Sequence, residues 1–334
     1  MDINTLIGDI NIAEQLDDDL LTQIGTDALE GYEIDERSRE EWLTNNQEYL
    51  KLATQIKEKK SFPWDGASNV KYPLLSIASM QFSARAYGTL LPDTSVVKGR
   101  VIGNDPDNIK AGKADRISQH MSYQLLEQIE NWEDDMDLTT LLLPISGTVF
   151  KKIYYDGNKP CIDLVLASDL CVNYNAMSLK SSPRNTQILP FSKNEVLSKI
   201  RSGEFLDLPE FTMEPSYNIT GKDKANQDQG RTPPQGKSSH SPIIFLEQHT
   251  WLDLDEDGYE EPYVVTFHKD SSKVARITAR FKVGDVQKNK KGEIYKINPS
   301  EYFEHYIFVP NPSSNIYGLG FGLLLGPLNE AVNS

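Results

Sequence analysis

The residues best placed to do chemistry in this chain are the carboxylates of Asp253-Leu254-Asp255-Glu256-Asp257-Gly258-Tyr259-Glu260-Glu261. Aspartates at alternate positions followed by glycine open an EF-hand-type calcium loop, where alternate side chains converge on one hard cation. The twelfth position of such a loop needs a bidentate carboxylate, and here it is Val264. The flanking text reads as strand, not helix. The segment is therefore expected to be a β-hairpin turn at Asp257-Gly258 with a charged tip, and a calcium-dependent binding loop over Asp253–Asp257 is the alternative.

Other reactive side chains offer less. The histidines are His120, His240, His249, His268 and His305. No His-Glu-x-x-His occurs, and no pair sits one helical turn apart. His249 and His268 could face each other across the hairpin and hold a metal weakly, but solvated or core histidines are the expectation. Cys161 and Cys171 both fall in β-like text. A disulfide or a metal pair is possible there, and two small buried hydrophobes in a reducing cytosol are expected.

Gly318-Leu319-Gly320-Phe321-Gly322 superficially suggests a nucleotide loop. A dinucleotide fold wants Gly-x-Gly-x-x-Gly between strand and helix, with an acidic residue about 20 positions on. Neither that pattern nor a P-loop frame is present. Glycines that let a helix pack closely are expected instead. No serine occupies a Gly-x-Ser-x-Gly elbow. Nothing meets the needs of general acid–base or nucleophilic catalysis. A hydrolase with dispersed carboxylates would need a pairing across a cleft that sequence cannot show. The chain is read as not an enzyme, with no catalytic, cofactor-binding or metal residue assigned and no cofactor.

What remains is architecture. The 334 residues suffice for a large core in two or three compact regions. Lys and Arg number 34 against 49 Asp and Glu, a formal net charge of −15. Such a chain repels a phosphate backbone, which argues against a sequence-reading nucleic-acid binder. The basic clusters at Lys57–Lys60, Lys151-Lys152 and Lys288–Lys291 read as solvated faces. The opening Met1-Asp2-Ile3-Asn4 lacks the basic and apolar regions of a secretory signal. The most apolar long segment, Leu74–Leu91, holds Gln81 and Arg85 and falls short of the roughly 20 apolar residues of a membrane span. It reads as a buried helix.

The expected class is α+β. Residues 1–60 form an acidic helical segment, with Asp17-Asp18-Asp19 as a solvated first turn at the positive end of a helix dipole. An acidic partner-binding tail is the alternative there. Residues 61–145 read as helical. A Pro-Trp-Asp-Gly turn at 63–66, with Trp64 in the core, leads to helix Leu74–Leu91, closed by Gly88 and Pro92. Val96–Gly103 looks like a short strand. A helix starting at Asp105-Pro106-Asp107 has an apolar face of Ala114, Ile117, Met121, Leu125, Ile129 and Trp132. Met136–Leu143 continues after a kink at Glu133-Asp134-Asp135, and Pro144 and Gly147 close the helical half.

Residues 146–312 read as β-rich. Asp156-Gly157-Asn158 is a hairpin turn, with strands at Val149–Tyr155 and Ile162–Leu166, and Leu170–Tyr174 extended beyond. Ser192 and Glu195 make a capping box for helix Asn194–Arg201, stopped by Gly203. Residues 216–242 are nearly devoid of apolar side chains and read as a mobile surface insertion. Strands follow at Ile243–Trp251, Tyr263–His268, Lys273–Phe281 and Tyr302–Val309, with a turn at Lys288–Gly292. In Lys273–Phe281, alternation would put Ala275, Ile277, Ala279 and Phe281 on one face. In 313–334, Leu324, Leu328 and Val332 recur every four residues, as at the start of a helix. The sequence is expected to be the first part of a longer protein.

Phe62–Tyr72, Gln81-Phe82-Ser83-Ala84-Arg85-Ala86-Tyr87, Trp132–Asp137, Leu143–Lys152, Leu252–Tyr263 and Gly326-Pro327-Leu328-Asn329-Glu330-Ala331 together resemble phrases of portal (head-to-tail connector) proteins of tailed, chiefly short-tailed, bacteriophages. None is a catalytic signature, so the resemblance rests on their order and number over about residues 60–334. It implies a ring, a dodecamer by expectation, at the unique capsid vertex. Implied partners are the major capsid protein, the terminase large subunit and head–tail adaptor proteins. Double-stranded DNA would pass through without sequence-specific binding. The expected location is the virion, after assembly in the host cytoplasm. The chain would form the wing, with N-terminal helices, long packed helices and a β-rich subdomain, and 313–334 would lead towards a stem.

Overall fold

A computed structural model describes residues 3–55, 64, 71–92, 95–157, 159–212, 242–256, 258–313 and 315–333. Its chain has the α+β composition that the patterns predict and forms two compact units. The first comprises Met1–Thr44, Ala167–Glu301 and Ser313–Ile316, and the second Asn45–Leu166, Tyr302–Pro312 and Tyr317–Ser334. The N-terminal helices thus group with the larger sheet, while the first two strands group with the helical segment.

In the first unit, an antiparallel sheet runs β3 (Leu170–Val172), β4 (Asn185–Phe191), β5 (Ile243–Leu252), β6 (Glu261–His268) and β7 (Val274–Ala279) in that spatial order. Both faces are covered. Leu246, Tyr263, Val265, Phe267 and Ile277 pack with Leu6 of α1 (Ile3–Gly8) and with Ile24, Ala28 and Tyr32 of α2 (Asp18–Ser38). On the reverse, Ile243, Phe245 and Ala275 pack with Phe205, Phe211 and Val196 of α7 (Lys193–Arg201). Gln248 fixes α2 to the sheet by donating to the Ala28 carbonyl at 2.9 Å.

Two polar pins hold the end of α2. Asp35 is buried and accepts from Arg184 Nε at 2.8 Å and Asn173 Nδ2 at 2.9 Å. Arg39, also buried, donates to the carbonyls of Ala167, Ser168 and Leu170 at 2.6–2.9 Å. At the sheet edge, Asn11 replaces a missing strand. Its Nδ2 donates to the Ala275 carbonyl, and its Oδ1 accepts from Ile277 N–H, which blunts an edge that would otherwise template pairing.

The capping box is present as expected. Glu195 Oε2 accepts from Ser192 N–H at 2.6 Å, and this bond holds the Glu195 carboxyl below its ordinary range. The turn at Lys288–Gly292 joins the small hairpin β8 (Val286–Lys288) and β9 (Ile294–Ile297). Acidic Asp18 and Asp19 occupy an exposed first turn of α2. The alternation expected in β7 fails at one residue. Phe267 pairs with Val274 while Thr266 pairs with Arg276. Ala275 is thus the extra residue of a bulge, and it turns to the opposite core from Ile277.

In the second unit, β1 (Thr148–Asp156) lies between β2 (Lys159–Leu166) and β10 (Phe303–Ile307). Asp156 pairs with Lys159, so the turn has the two-residue loop of a tight hairpin. The helices are α4 (Leu74–Leu90), α5 (Ile109–Tyr123), α6 (Trp132–Ser146) and α8 (Phe321–Asn333); α3 (Glu40–Thr54) contains the unit boundary. Small side chains mediate packing of α4 on α6, where the Ser83 and Thr140 hydroxyls meet at 2.9 Å. Asn329 and Asn333 of α8 bind the backbone at the start of α4: Asn329 Oδ1 accepts from Leu75 N–H, and Asn333 Nδ2 donates to the Tyr72 carbonyl at 3.2 Å.

Several expectations change here. Trp64 is 67% exposed, not a core anchor; its flanking residues 61–63 and 65–70 lie outside the described set. Val96–Gly103 is not a strand, and among the described residues it joins no sheet. Serine hydroxyls bind its backbone instead, with Ser122 accepting from Val97 N–H at 3.1 Å and Ser118 from Gly99 N–H at 2.6 Å. Those serines form the buried face of α5, so the expected apolar face is turned outward at Ile117 and Met121, while its far end, Ile129 and Trp132, is buried as expected. Helix α5 passes into a π turn at Gln124–Gln128, and the chain breaks helical geometry at Ile129. Gly88 and Pro144 lie inside their helices rather than ending them, and Gly147, at φ 82°, caps α6. Residues 216–241 of the expected insertion fall outside the described set.

Candidate functional site

The hairpin between β5 and β6 positions the carboxylates singled out above. Leu252 pairs with Glu261 at its base, and Leu254 tucks into the core. Oxygens of Asp253, Asp255 and Glu261 come within 4.8 Å of one another. Asp253 Oδ2 also accepts from Gly258 N–H at 3.0 Å. Gly258 sits at φ 88°, a turn conformation that suits glycine. Asp257 lies outside the described residues.

Glu261, the ninth position of the calcium pattern, completes the group. It opens β6, is fully buried, and accepts from the Tyr263 hydroxyl at 3.4 Å. Burial, with the Glu261 charge adding to it, pushes the Tyr263 phenol well above its ordinary value. Val264, the twelfth position of the calcium pattern, is a mid-strand residue paired with His249 and Thr278. Strands flank the turn, as expected, so this is a hairpin tip and not a helix–loop–helix. Three carboxylates this close could hold one hard cation.

Among the described residues, the histidines do not combine. Register places His249 opposite Val264 and His268 opposite Phe245, so the two are offset along the sheet and do not face each other. The loop 252↔261 fixes that offset, a long-range constraint that spacing alone left open. His249 is buried with Nε2 3.4 Å from Glu247. His268 packs among Phe211 and Phe245 with Nδ1 2.8 Å from Ser271 Oγ. Burial lowers its pKa, with Asp270 and Glu210 opposing. His305 stacks on Phe150, His120 is exposed, and His240 is outside the described residues.

The remaining candidates are architectural. Cys161 and Cys171 are free thiols, and burial pushes Cys171 up to about 11, far from a reactive thiolate. Gly318 donates its N–H to Thr148 Oγ1 at 2.7 Å, and a Cβ on Gly320 would strike the Ile145 carbonyl. Gly322 lies flat against the Tyr49 ring. These glycines serve close packing, as expected.

Lys151 departs from the solvated face expected of it. It is buried with Nζ 2.9 Å from Met136 Sδ, and burial lowers its pKa while Asp135 opposes. Lys288, Lys290 and Lys291 are exposed at their hairpin tip, and Lys57–Lys60 lie outside the described residues. Among the described residues, no helix is long and apolar enough to cross a membrane. Neither the models of known protein families nor the curated proteins contain a match to this sequence.

Proposed function

We propose that this chain is the wing portion of a tailed-phage portal protein. In this reading it is a non-enzymatic structural subunit of a ring at one capsid vertex, built into the virion after assembly in the host cytoplasm. The ring would contact the capsid protein, terminase and head–tail adaptors, and DNA would pass through it.

The observation that carries this reading is the orientation of α8. A helix of a monomeric protein turns its leucines inward. Helix α8 buries Gly322, Gly326 and Asn329, and leaves Leu323, Leu324, Leu328 and Val332 exposed. Covering each half-exposed side chain would contribute about 1 kcal/mol, so this one helix offers a few kcal/mol to an assembled state. Closed rings need repeated heterologous contacts of this kind. The order of the portal-like phrases supports the same reading, and a net charge of −15 suits a conduit that must not grip DNA.

Sedimentation and DNA binding of the full-length protein test it. Self-association with no tight duplex binding at physiological salt is expected; a stable monomer, or nanomolar DNA binding, contradicts it. The gathering of Asp253, Asp255 and Glu261 favours one second reading, a calcium-dependent binding module. Calorimetry with calcium decides between them. The portal reading requires no strong site, whereas a saturable heat abolished by Glu261→Gln would favour the module.

A further inference from the structure

Helix α5 is unusual in what it hides. Its buried residues are Ser118 and Ser122, and both bind the backbone of the strap 95–103. Gly99 of that strap lies so close to α5 that a Cβ would crowd Ala114. Ile109, Ile117 and Met121 on the helix are exposed, and Ile102 on the strap is 87% exposed. Strap and helix form one arm with its apolar side chains facing outward.

The arm also differs in charge from the rest of the chain. Lys98, Arg100, Lys110, Lys113 and Arg116 are all exposed, and among the described residues none of them forms an ion pair. Against these five cations the arm holds three carboxylates, the exposed Asp107 and Asp115 and Asp105, which accepts from the amides of Lys110 and Ala111, so its net charge is +2. Beyond α5, in the same unit, residues 127–137 contain only acidic charges. Of these, Glu127, Glu130, Glu133, Asp134 and Asp137 are exposed, with the exposed apolar side chains Leu126 and Leu138 beside them; Glu130 pairs with the exposed Lys159 at 3.8 Å and Glu133 accepts from the Tyr87 hydroxyl, which leaves Glu127, Asp134 and Asp137 outside any ion pair among the described residues. The unit therefore carries two patches, opposite in sign, each mixing charge with uncovered apolar surface.

We infer that the basic arm 95–123 of one copy docks on the acidic patch 127–137 of a second copy of this chain. This deepens the ring reading above and rests on it. In a head-to-tail arrangement each copy offers its arm to one neighbour and its patch to the other, so the contact repeats from copy to copy. Opposite charge sets the register, and the outward isoleucines supply apolar contact. An anionic membrane is the less fitting occupant, because the chain as a whole carries −15.

A charge swap in the full-length protein tests this. The arm variant is Lys110→Glu/Lys113→Glu/Arg116→Glu, and the patch variant is Glu127→Lys/Glu130→Lys/Asp134→Lys. Light scattering reads assembly, and circular dichroism reads folding. Each variant alone should remain monomeric where the unaltered protein assembles. An equimolar mixture should assemble again with the two variants alternating, because each arm then finds a patch of opposite charge. If both variants assemble like the unaltered protein, this contact is wrong and the ring reading stands. If the unaltered protein is monomeric at every concentration, the ring reading itself fails.

Should a reversed variant misfold, the set Lys110→Gln/Lys113→Gln/Arg116→Gln is read instead. A rise of about tenfold or more in the concentration for half-assembly is expected, and no change overturns the inference. Flotation with phosphatidylcholine–phosphatidylserine vesicles supplies the remaining arm. Vesicle binding by the unaltered protein that the arm variant loses would assign the arm to a membrane and overturn the contact.

Discussion

Replacing Asp35 with alanine should loosen the first unit by about 3 kcal/mol. The Asp35 side chain is 2% exposed and its partner Arg184 is 26% exposed. Removing one member of a fully buried pair costs about 3–5 kcal/mol, because the other charge is stranded. Water can reach Arg184 in part, which lowers that figure to about 2–3 kcal/mol. Asn173 also loses an acceptor, worth about 1 kcal/mol. The chain has two compact units, so the fitting assay is local. Amide hydrogen exchange in β3 and β4 reports opening of the unit that Asp35 holds. Exchange there should quicken roughly a hundredfold, about 1.4 kcal/mol per factor of ten. A double variant with Arg184→Met should cost less than Asp35→Ala alone, because it removes the stranded charge. A change within about 0.5 kcal/mol, or full additivity of the two substitutions, would refute the claim that this pair pins α2 to the sheet.

Three further outcomes follow from single positions. Gly320→Ala should destabilise the second unit by about 1–3 kcal/mol, because the new Cβ meets the Ile145 carbonyl; an unchanged melting curve would show that this contact yields. Trp64→Ala should change stability by less than about 0.5 kcal/mol, because the indole is exposed; a larger loss in a denaturant titration would place it in a core. His268 has a pKa lowered from 6.5 by burial, so the unfolded chain takes up a proton first as pH falls. Stability should therefore decline below about pH 6.5 as far as the folded-state pKa, and His268→Gln should flatten that part of the curve. A flat profile in the unaltered protein contradicts the burial argument.

Local chemistry was legible in the sequence. The capping box at Ser192 and Glu195, the tight turn after Asp156 and the β5–β6 hairpin are each decided by a few neighbouring residues. Long-range pairing was not. Strand β10 joins β1, so Phe303 meets Lys152 across some 150 intervening positions that carry no periodic signal of the pairing. Glu261 stands in the acidic segment at the ninth position of the calcium pattern, yet strand register, not a calcium loop, brings it to Asp253 and Asp255. The bulge at Ala275 is invisible to a period of two. Helix α5 misled pattern reading for a different reason. Periodicity identifies an apolar stripe but does not say what covers it, and here two serines face the strap while Ile117 and Met121 face outward. Lys151 sits beside Lys152 in a strand, yet only the facing helix α6 decides that its ammonium is buried.

Electron microscopy of the purified full-length protein tests the account most directly. Particles with a central hole and rotational symmetry, with the second unit's helices at the seams between copies, are predicted. A field of single compact particles, with no symmetry at any concentration, would contradict the claim that this surface exists to meet copies of itself.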